Sequence, residues 1–428
     1  MWVLYELLLL IGLVLLLPKA LWRRRLPHRG WSMRLGRYPQ SVVAALGGTP
    51  SIWVHAVSVG EVQAAGPVLQ ALHQAYPTSP LVLSTITPGG FQVASRLLAG
   101  IGGTSIYFPL DLRGCVTRAL DTLRPRALLL VESELWPVTI RLAAARGIPI
   151  ALVNGRVSLR AFQRYLAIKP LVVGMLHHVD LFLMQSQADA DRLIQLGAPA
   201  DRVRVTGNLK WDASLGSRPE PKAVQALTAR LGCHGQDTLI VAGSTHRGEE
   251  RMVLEAFRAL RSSRAGTRLI LAPRHLERIA EVETLARHAG FTALRLSQAQ
   301  PTAPWDVGIV DAFGQLASYY SLATVVFIGG SLVPHGGQNP LEAASLGKPV
   351  VFGPSMHNFE AIAHQLLAHH AARQLTGGER LKSLLEELLD HPEEAEAMGR
   401  RAQTLTEQFR GATQRTLEAL RPLLVEPT

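Results

Sequence analysis

Glu61 stands in Val57-Ser58-Val59-Gly60-Glu61, directly after the apolar run 52–57 and at the start of a helical pattern. A carboxylate in the first turn of a helix at a strand's C-terminal end is placed to take a proton from a reacting hydroxyl. The same residue type also serves as a plain acidic partner of the helix dipole. Gly60 permits close approach of a ligand, and Ser58 has the chemistry of a cap. Glu132-Ser133-Glu134 ends a second apolar run, 126–132, and precedes Trp136-Pro137. Two carboxylates at i, i+2 in a strand-end loop are either solvated or turned to a crevice, and the strand-end position favours the crevice. Lys210, after Gly207-Asn208, could offset negative charge, although a surface position is the commoner one for lysine.

The second half carries groups suited to phosphate. Gly243-Ser244-Thr245-His246 follows a strand-like run and precedes a helical one, a turn that exposes backbone N–H groups as helix N-termini do. Arg274, after Pro273, can form charge-assisted hydrogen bonds to phosphate. The richest stretch runs from Gly329-Gly330-Ser331 through Gly336-Gly337 to Asn339-Pro340-Leu341-Glu342. A glycine-rich loop opening a helix at Asn339-Pro340 reads as a nucleotide site, with Glu342 able to accept ribose hydroxyls. The loop Ser84–Gly90, small, hydroxylated and glycine-bearing, is suited to an acceptor phosphate or sugar, although it is neither a Walker A nor a GxGxxG.

Other patterns carry less. Asp189-Ala190-Asp191 resembles a metal-chelating DxD, but on a helix i and i+2 side chains diverge, so we expect no metal there. His177-His178 and His369-His370 lack metal-ligand spacing. Cys115 and Cys233 form no CxxC, which excludes a disulfide scaffold and a zinc module.

These groups need a rigid frame. Apolar runs at 80–86, 126–132, 149–154 and 181–185 join that at 52–57, separated by helical patterns, and a second series lies at 238–244, 268–273, 307–310, 324–330 and 349–353. Short buried strands alternating with helices imply parallel α/β layers. Two Rossmann-like domains facing a crevice is the expected architecture, with function in loops that follow strands. We expect an anchor and basic collar over residues 1–25, a first Rossmann-like domain over 26–212 and a second, with C-terminal helices, over 213–428. The formal net charge is +11, and residues 1–40 contribute seven Lys or Arg against Glu6 alone. The remainder is only mildly basic, which does not suggest a nucleic-acid binder. Leu7–Leu17 is uninterrupted and apolar, and the low-polarity stretch approaches the ~20 residues of a membrane helix. Arg23, Arg24 and Arg25 follow it, so the expectation is a single-pass N-terminal transmembrane anchor, with the body cytoplasmic and the collar against anionic lipids of the inner leaflet; the alternative is a cleaved or peripheral amphipathic segment.

VSVGE (57–61), ESELWP (132–137), GNLKWD (207–212) and GGQNPLE (336–342), in that order, resemble the Kdo (3-deoxy-D-manno-octulosonic acid) transferases of lipopolysaccharide biosynthesis. The resemblance extends from the N-terminus to about His357-Asn358-Phe359. It implies a GT-B fold and inverting, metal-independent transfer from CMP-Kdo, a substrate rather than a cofactor, to a lipid A precursor (lipid IVA) at the inner membrane. By position it makes Glu61 the general base and assigns Glu132 and Lys210 to transition-state stabilisation. It also gives CMP contacts to Pro273-Arg274, Phe313-Gly314-Gln315 and Asn339-Pro340-Leu341-Glu342. Gln315 departs from the glutamate expected there and lacks its charge. Competing readings are a GT-B transferase using a UDP-sugar, a nucleotide-sugar epimerase, and a non-catalytic carbohydrate-binding or scaffold protein. Lipid-dependent transfer, isomerisation without an acceptor, and binding without turnover separate them.

Overall fold

In the computed structural model, which describes residues 5–7, 9–12, 15, 30–215, 219–233, 237–300, 304–312, 314–375 and 381–424, the chain divides into two compact units. The first comprises Met1–Ala213 with Gly411–Thr428, and the second Ser214–Arg410.

The first unit is built on a wholly parallel seven-stranded sheet in the order β3-β2-β1-β4-β5-β6-β7. Its strands are β1 (Ser51–His55), β2 (Leu81–Thr85), β3 (Thr104–Tyr107), β4 (Pro125–Val131), β5 (Ile150–Gly155), β6 (Leu181–Met184) and β7 (Val203–Val205). The inner strands read as near-continuous apolar runs because helices cover both faces. Strand alternation divides their side chains: Trp53, Leu128 and Leu130 pack on one face, and Ile52, Val54 and Leu129 on the other. The order reverses between β1 and β4, where ligand sites of open parallel sheets form.

The second unit repeats the design with order β10-β11-β9-β8-β12-β13-β14. Its strands are β8 (Leu239–Thr245), β9 (Arg268–Pro273), β10 (Ala293–Arg295), β11 (Val307–Ile309), β12 (Val325–Ile328), β13 (Val350–Phe352) and β14 (Arg373–Gln374). Here the order reverses between β8 and β12.

Residues 411–428, expected in the second domain, return to the first. Leu417, Leu420 and Leu424 of the helix Ala412–Leu424 join Val62, Leu69 and Leu72 of the helix Val59–Ala75 in one core cluster. Asp212 secures the return, its carboxylate accepting the N–H groups of Gly411 (2.9 Å) and Thr413 (2.6 Å) at the start of the returning helix. That is the task of the aspartate in GNLKWD.

The N-terminal anchor expectation meets a different picture. No helix among the described residues is long and apolar enough to cross a membrane. Residues 5–7, 9–12 and 15 are helical, while the basic collar and the rest of 1–25 lie outside the described residues. Glu6 accepts the Arg113 N–H at 3.1 Å, and Tyr5 packs against the first unit's core. Leu7, Leu10, Ile11 and Leu15 are exposed.

Candidate active site

At the end of β1 the chain turns into the helix Val59–Ala75 through a reciprocal cap. Ser58 Oγ accepts the Glu61 N–H at 3.4 Å and donates its own proton to Glu61 Oε1 at 2.8 Å, while the Val57 N–H donates to Glu61 Oε2 at 2.8 Å. This S-x-x-E box fixes the carboxylate in the first turn, as the sequence suggested. Burial pushes the Glu61 carboxyl up to about 7, the charge of Glu132 adds to the rise, and the Val57 and Ser58 hydrogen bonds and Lys210 oppose it. A carboxyl poised near neutrality is suited to general-base work.

Glu132 follows β4 with φ +63°, a left-handed turn for a non-glycine residue that directs its side chain away from the strand's own path. Lys210 Nζ lies 2.9 Å from Glu132 Oε1, with the two side chains 16% and 17% exposed, so Lys210 is no surface lysine. A second left-handed residue, Asn154 at the end of β5, sets this pair up. Its Oδ1 accepts the Leu209 N–H at 2.9 Å, and Asn208 Oδ1 accepts the Lys210 N–H at 3.0 Å, fixing the start of the helix Leu209–Leu215. Glu134 completes the carboxylate group, with Oε2 accepting the Trp136 indole N–H at 3.0 Å. Burial raises its carboxyl to about 7, and the Glu61 charge contributes.

Beneath this turn, His55 stacks on Phe108 at 3.8 Å and its Nδ1 lies 3.1 Å from Ser84 O and 2.9 Å from Ser84 Oγ. Full burial drives its imidazole down to about 3, so it is a neutral packing group near neutral pH. Thr87, in the Ser84–Gly90 loop, caps the helix Pro88–Ile101 by accepting the Gly90 N–H at 3.0 Å.

In the second unit the anticipated phosphate cradle is already occupied by a side chain. Glu249, fully buried at the start of the helix Glu249–Arg261, accepts four backbone N–H groups. These are His246 (2.8 Å) and Gly330 (2.6 Å) on Oε2, and Ser331 and Leu332 (2.9 Å each) on Oε1. The N–H groups expected to meet a phosphate at His246, Gly330 and Ser331 therefore hold an internal carboxylate, because a nest of N–H groups binds whichever anion the fold supplies. Glu249 is absent from the candidates read in the sequence, because its partners at 330–332 are distant along the chain.

Around this clamp lie the other candidates. Ser244 takes φ +55°, Thr245 is buried, and the Gly337 N–H donates to Gly330 O at 2.8 Å, folding the glycine loop on itself. A Cβ on Gly337, at φ +72°, would collide with the Met356 sulfur. Pro273 ends β9, and the Arg274 N–H donates to Thr245 O at 2.9 Å. Asn339 Oδ1 accepts the Leu341 N–H at 3.1 Å before the helix Leu341–Ser345, with Pro340 as the flanking residue. Burial raises the Glu342 carboxyl, opposed by an Asn339 side-chain hydrogen bond and the Arg274 charge. Gly314 has φ +81°, and Gln315 Oε1 accepts the Tyr319 hydroxyl at 3.2 Å; Phe313 lies outside the described residues. His246 stacks on His335 at 4.4 Å with His275 edge-on at 5.8 Å, and burial followed by these neighbours lowers its imidazole to about 4.

Asp189 and Asp191 diverge as expected. Asp189 accepts the Val157 N–H at 2.9 Å, and Asp191 accepts from Gln187 at 2.8 Å. Among the described residues no group of three or more His, Cys, Asp or Glu could hold a metal ion.

Residues 29–213 match the family model described as 3-Deoxy-D-manno-octulosonic-acid transferase (kdotransferase). The chain is 35% identical over 423 residues to the 3-deoxy-D-manno-octulosonic acid transferase of Bordetella pertussis, covering 96% of each chain. It is 33% identical over 378 residues to that of Haemophilus influenzae, covering 87% of each. Among solved structures it is similar in fold to the UDP-GlcNAc 2-epimerase of Neisseria meningitidis, with a TM-score of 0.61 at 15% identity, covering 87% of this chain and 100% of that one. The chain belongs to the 3-deoxy-D-manno-octulosonic acid transferase family, and is a glycosyltransferase of lipopolysaccharide biosynthesis with two parallel-sheet α/β units consistent with the GT-B fold.

Proposed function

We propose that the protein transfers Kdo from CMP-Kdo to a lipid A precursor, with inversion, without a metal cofactor, and with Glu61 as the general base. A sugar hydroxyl is a weak nucleophile near neutral pH, so its proton must be taken as the new bond forms. The acceptor oxygen bonds to the donor's anomeric carbon, the proton passes to the Glu61 carboxylate, and the bond from that carbon to the CMP phosphate breaks with its electron pair leaving on CMP. The sugar becomes oxocarbenium-like as the phosphate departs, and the Glu132 carboxylate, held by Lys210, offsets that positive charge. Arg274 is assigned to the leaving phosphate, Glu342 to the ribose hydroxyls, and Gly314, Gln315, Asn339, Pro340 and Leu341 to the remaining CMP contacts.

The observation that carries this reading is the Glu61 carboxyl, clamped by Ser58 and Val57 and raised to about 7 beside the Lys210–Glu132 pair. The exposed apolar residues Leu7, Leu10, Ile11 and Leu15 and the basic residues that follow in sequence support attachment to anionic lipid of the inner membrane. The body would then lie on the cytoplasmic side, where an amphiphilic acceptor is within reach.

The test is CMP release by purified protein from CMP-Kdo, with and without a lipid A precursor, and with EDTA in parallel. The expected result is EDTA-resistant, lipid-dependent release and a lipid product heavier by whole Kdo units. No release from active donor would overturn the substrate assignment.

A further inference from the structure

Lys210 lies against Glu132 and near Glu61 in the first unit, and Glu134 faces the Glu61 and Glu132 carboxylates. Among the described residues Glu61 and Glu134 have no ion-pair partner of their own, and their hydrogen bonds differ. Both Glu61 oxygens accept strong donors, the Val57 N–H and the Ser58 hydroxyl, each at 2.8 Å. Glu134 has a single donor, the Trp136 indole, and its Oε1 has no hydrogen-bond partner among the described residues. The other titratable group facing Glu134 is the Tyr165 hydroxyl, on the helix Leu159–Ala167, which carries no charge near neutral pH and is itself held protonated by burial and by the Glu134 charge. Donors stabilise the ionised form, so of two neighbouring half-buried carboxyls the better-solvated one ionises first.

We infer that Glu134 is the proton-holding partner of Glu61: the two carboxyls keep one proton between them at working pH, it resides on Glu134, and Glu61 is thereby the ionised base. The inference rests on the reading of Glu61 as general base and adds Glu134 to it. Glu134 acts through Glu61 and through the charge of the site. With its proton in place, the site presents the Glu61 anion and a neutral acid. When that proton is lost, a third full negative charge appears where an anionic donor and a phosphorylated acceptor must bind. Loss of the first proton from the pair therefore switches transfer on, and loss of the second switches it off. Two coupled carboxyls titrate as a pair, so both limbs of the pH profile belong to the pair. The raising of both groups to about 7 agrees with this arrangement.

The experiment is the pH dependence of kcat/KM for CMP-Kdo, from initial rates with lipid acceptor, for wild type, Glu134→Gln, Trp136→Phe and Glu61→Gln. Glutamine imitates the neutral acid and cannot lose its proton, so Glu134→Gln is expected to lack the alkaline fall and to exceed wild type by at least about tenfold one unit beyond the wild-type limb. Phenylalanine removes the one donor that stabilises the Glu134 anion, so Trp136→Phe is expected to move the alkaline limb up by about one pH unit. Wild-type alkaline limbs in both variants would overturn the inference. If Glu134→Gln is inactive at every pH, Trp136→Phe decides alone. Glu61→Gln separates the two readings: a variant that keeps the wild-type acid limb removes Glu61 as the base, whereas an inactive one beside unshifted Glu134 and Trp136 variants removes the proton-sharing role alone.

Discussion

Glu249→Gln tests how the glycine-rich loop is held. Each Glu249 oxygen accepts two backbone N–H groups, and the residue is fully buried. Whichever way a glutamine amide is turned, its nitrogen points two hydrogens at two N–H groups. Those two donors lose their acceptors and no water reaches them. At ~1–3 kcal/mol for each buried donor left unsatisfied, the expected loss is about 2–6 kcal/mol, a large part of the ~5–15 kcal/mol that stabilises a domain. The assay is urea unfolding followed by tryptophan fluorescence, in which Trp305, the only tryptophan between residues 214 and 410, reports the second unit. The CMP-Kdo dissociation constant is measured beside it and is expected to rise as the 329–332 loop loses its clamp. A destabilisation below about 1 kcal/mol would refute the view that this carboxylate is the loop's internal anion.

Other expectations follow from the first unit. Burial holds Glu61 well above the ordinary carboxylate range, so the folded state binds that proton more tightly than the unfolded chain, and stability is lost as pH rises from about 4.5 to about 7. Glu61→Gln removes this penalty, and calorimetry should find the variant more stable by about 3 kcal/mol at pH 8 and little changed at pH 4. Lys210→Met leaves Glu132 without its cation, which should cost about 2 kcal/mol in urea unfolding and move the acid limb of transfer to higher pH, since Lys210 favours the Glu61 anion. Asp212→Ala removes the acceptor for Gly411 and Thr413, and should cost about 2 kcal/mol with early loss of the C-terminal helix by hydrogen exchange.

The inner strands were legible because burial on both faces writes them as unbroken apolar runs. The run at 268–273 coincides with β9, and those at 52–57, 126–132 and 238–244 lie within a residue or two of β1, β4 and β8. The strands that the sequence does not mark, β3, β7, β10 and β14, lie at sheet edges, have two to four residues, and are only partly buried, so no unbroken apolar run or periodicity marks them. Ser58 and Glu61 were readable as a local cap. Lys210 was not separable from a surface lysine by type, because its burial depends on Asn154, far away in sequence, holding the Leu209 N–H. The same holds for Glu249, whose partners at 330–332 are eighty residues distant, and for the C-terminal helix, whose return to the first unit depends on Asp212 and on apolar contacts with the helix Val59–Ala75.

The central claim is that Glu61 takes the acceptor's proton. Its most direct test is lipid-dependent CMP release by Glu61→Gln at saturating CMP-Kdo, with donor binding measured on the same sample. The account predicts transfer reduced by at least about 100-fold with CMP-Kdo still bound. Full transfer by that variant would contradict it.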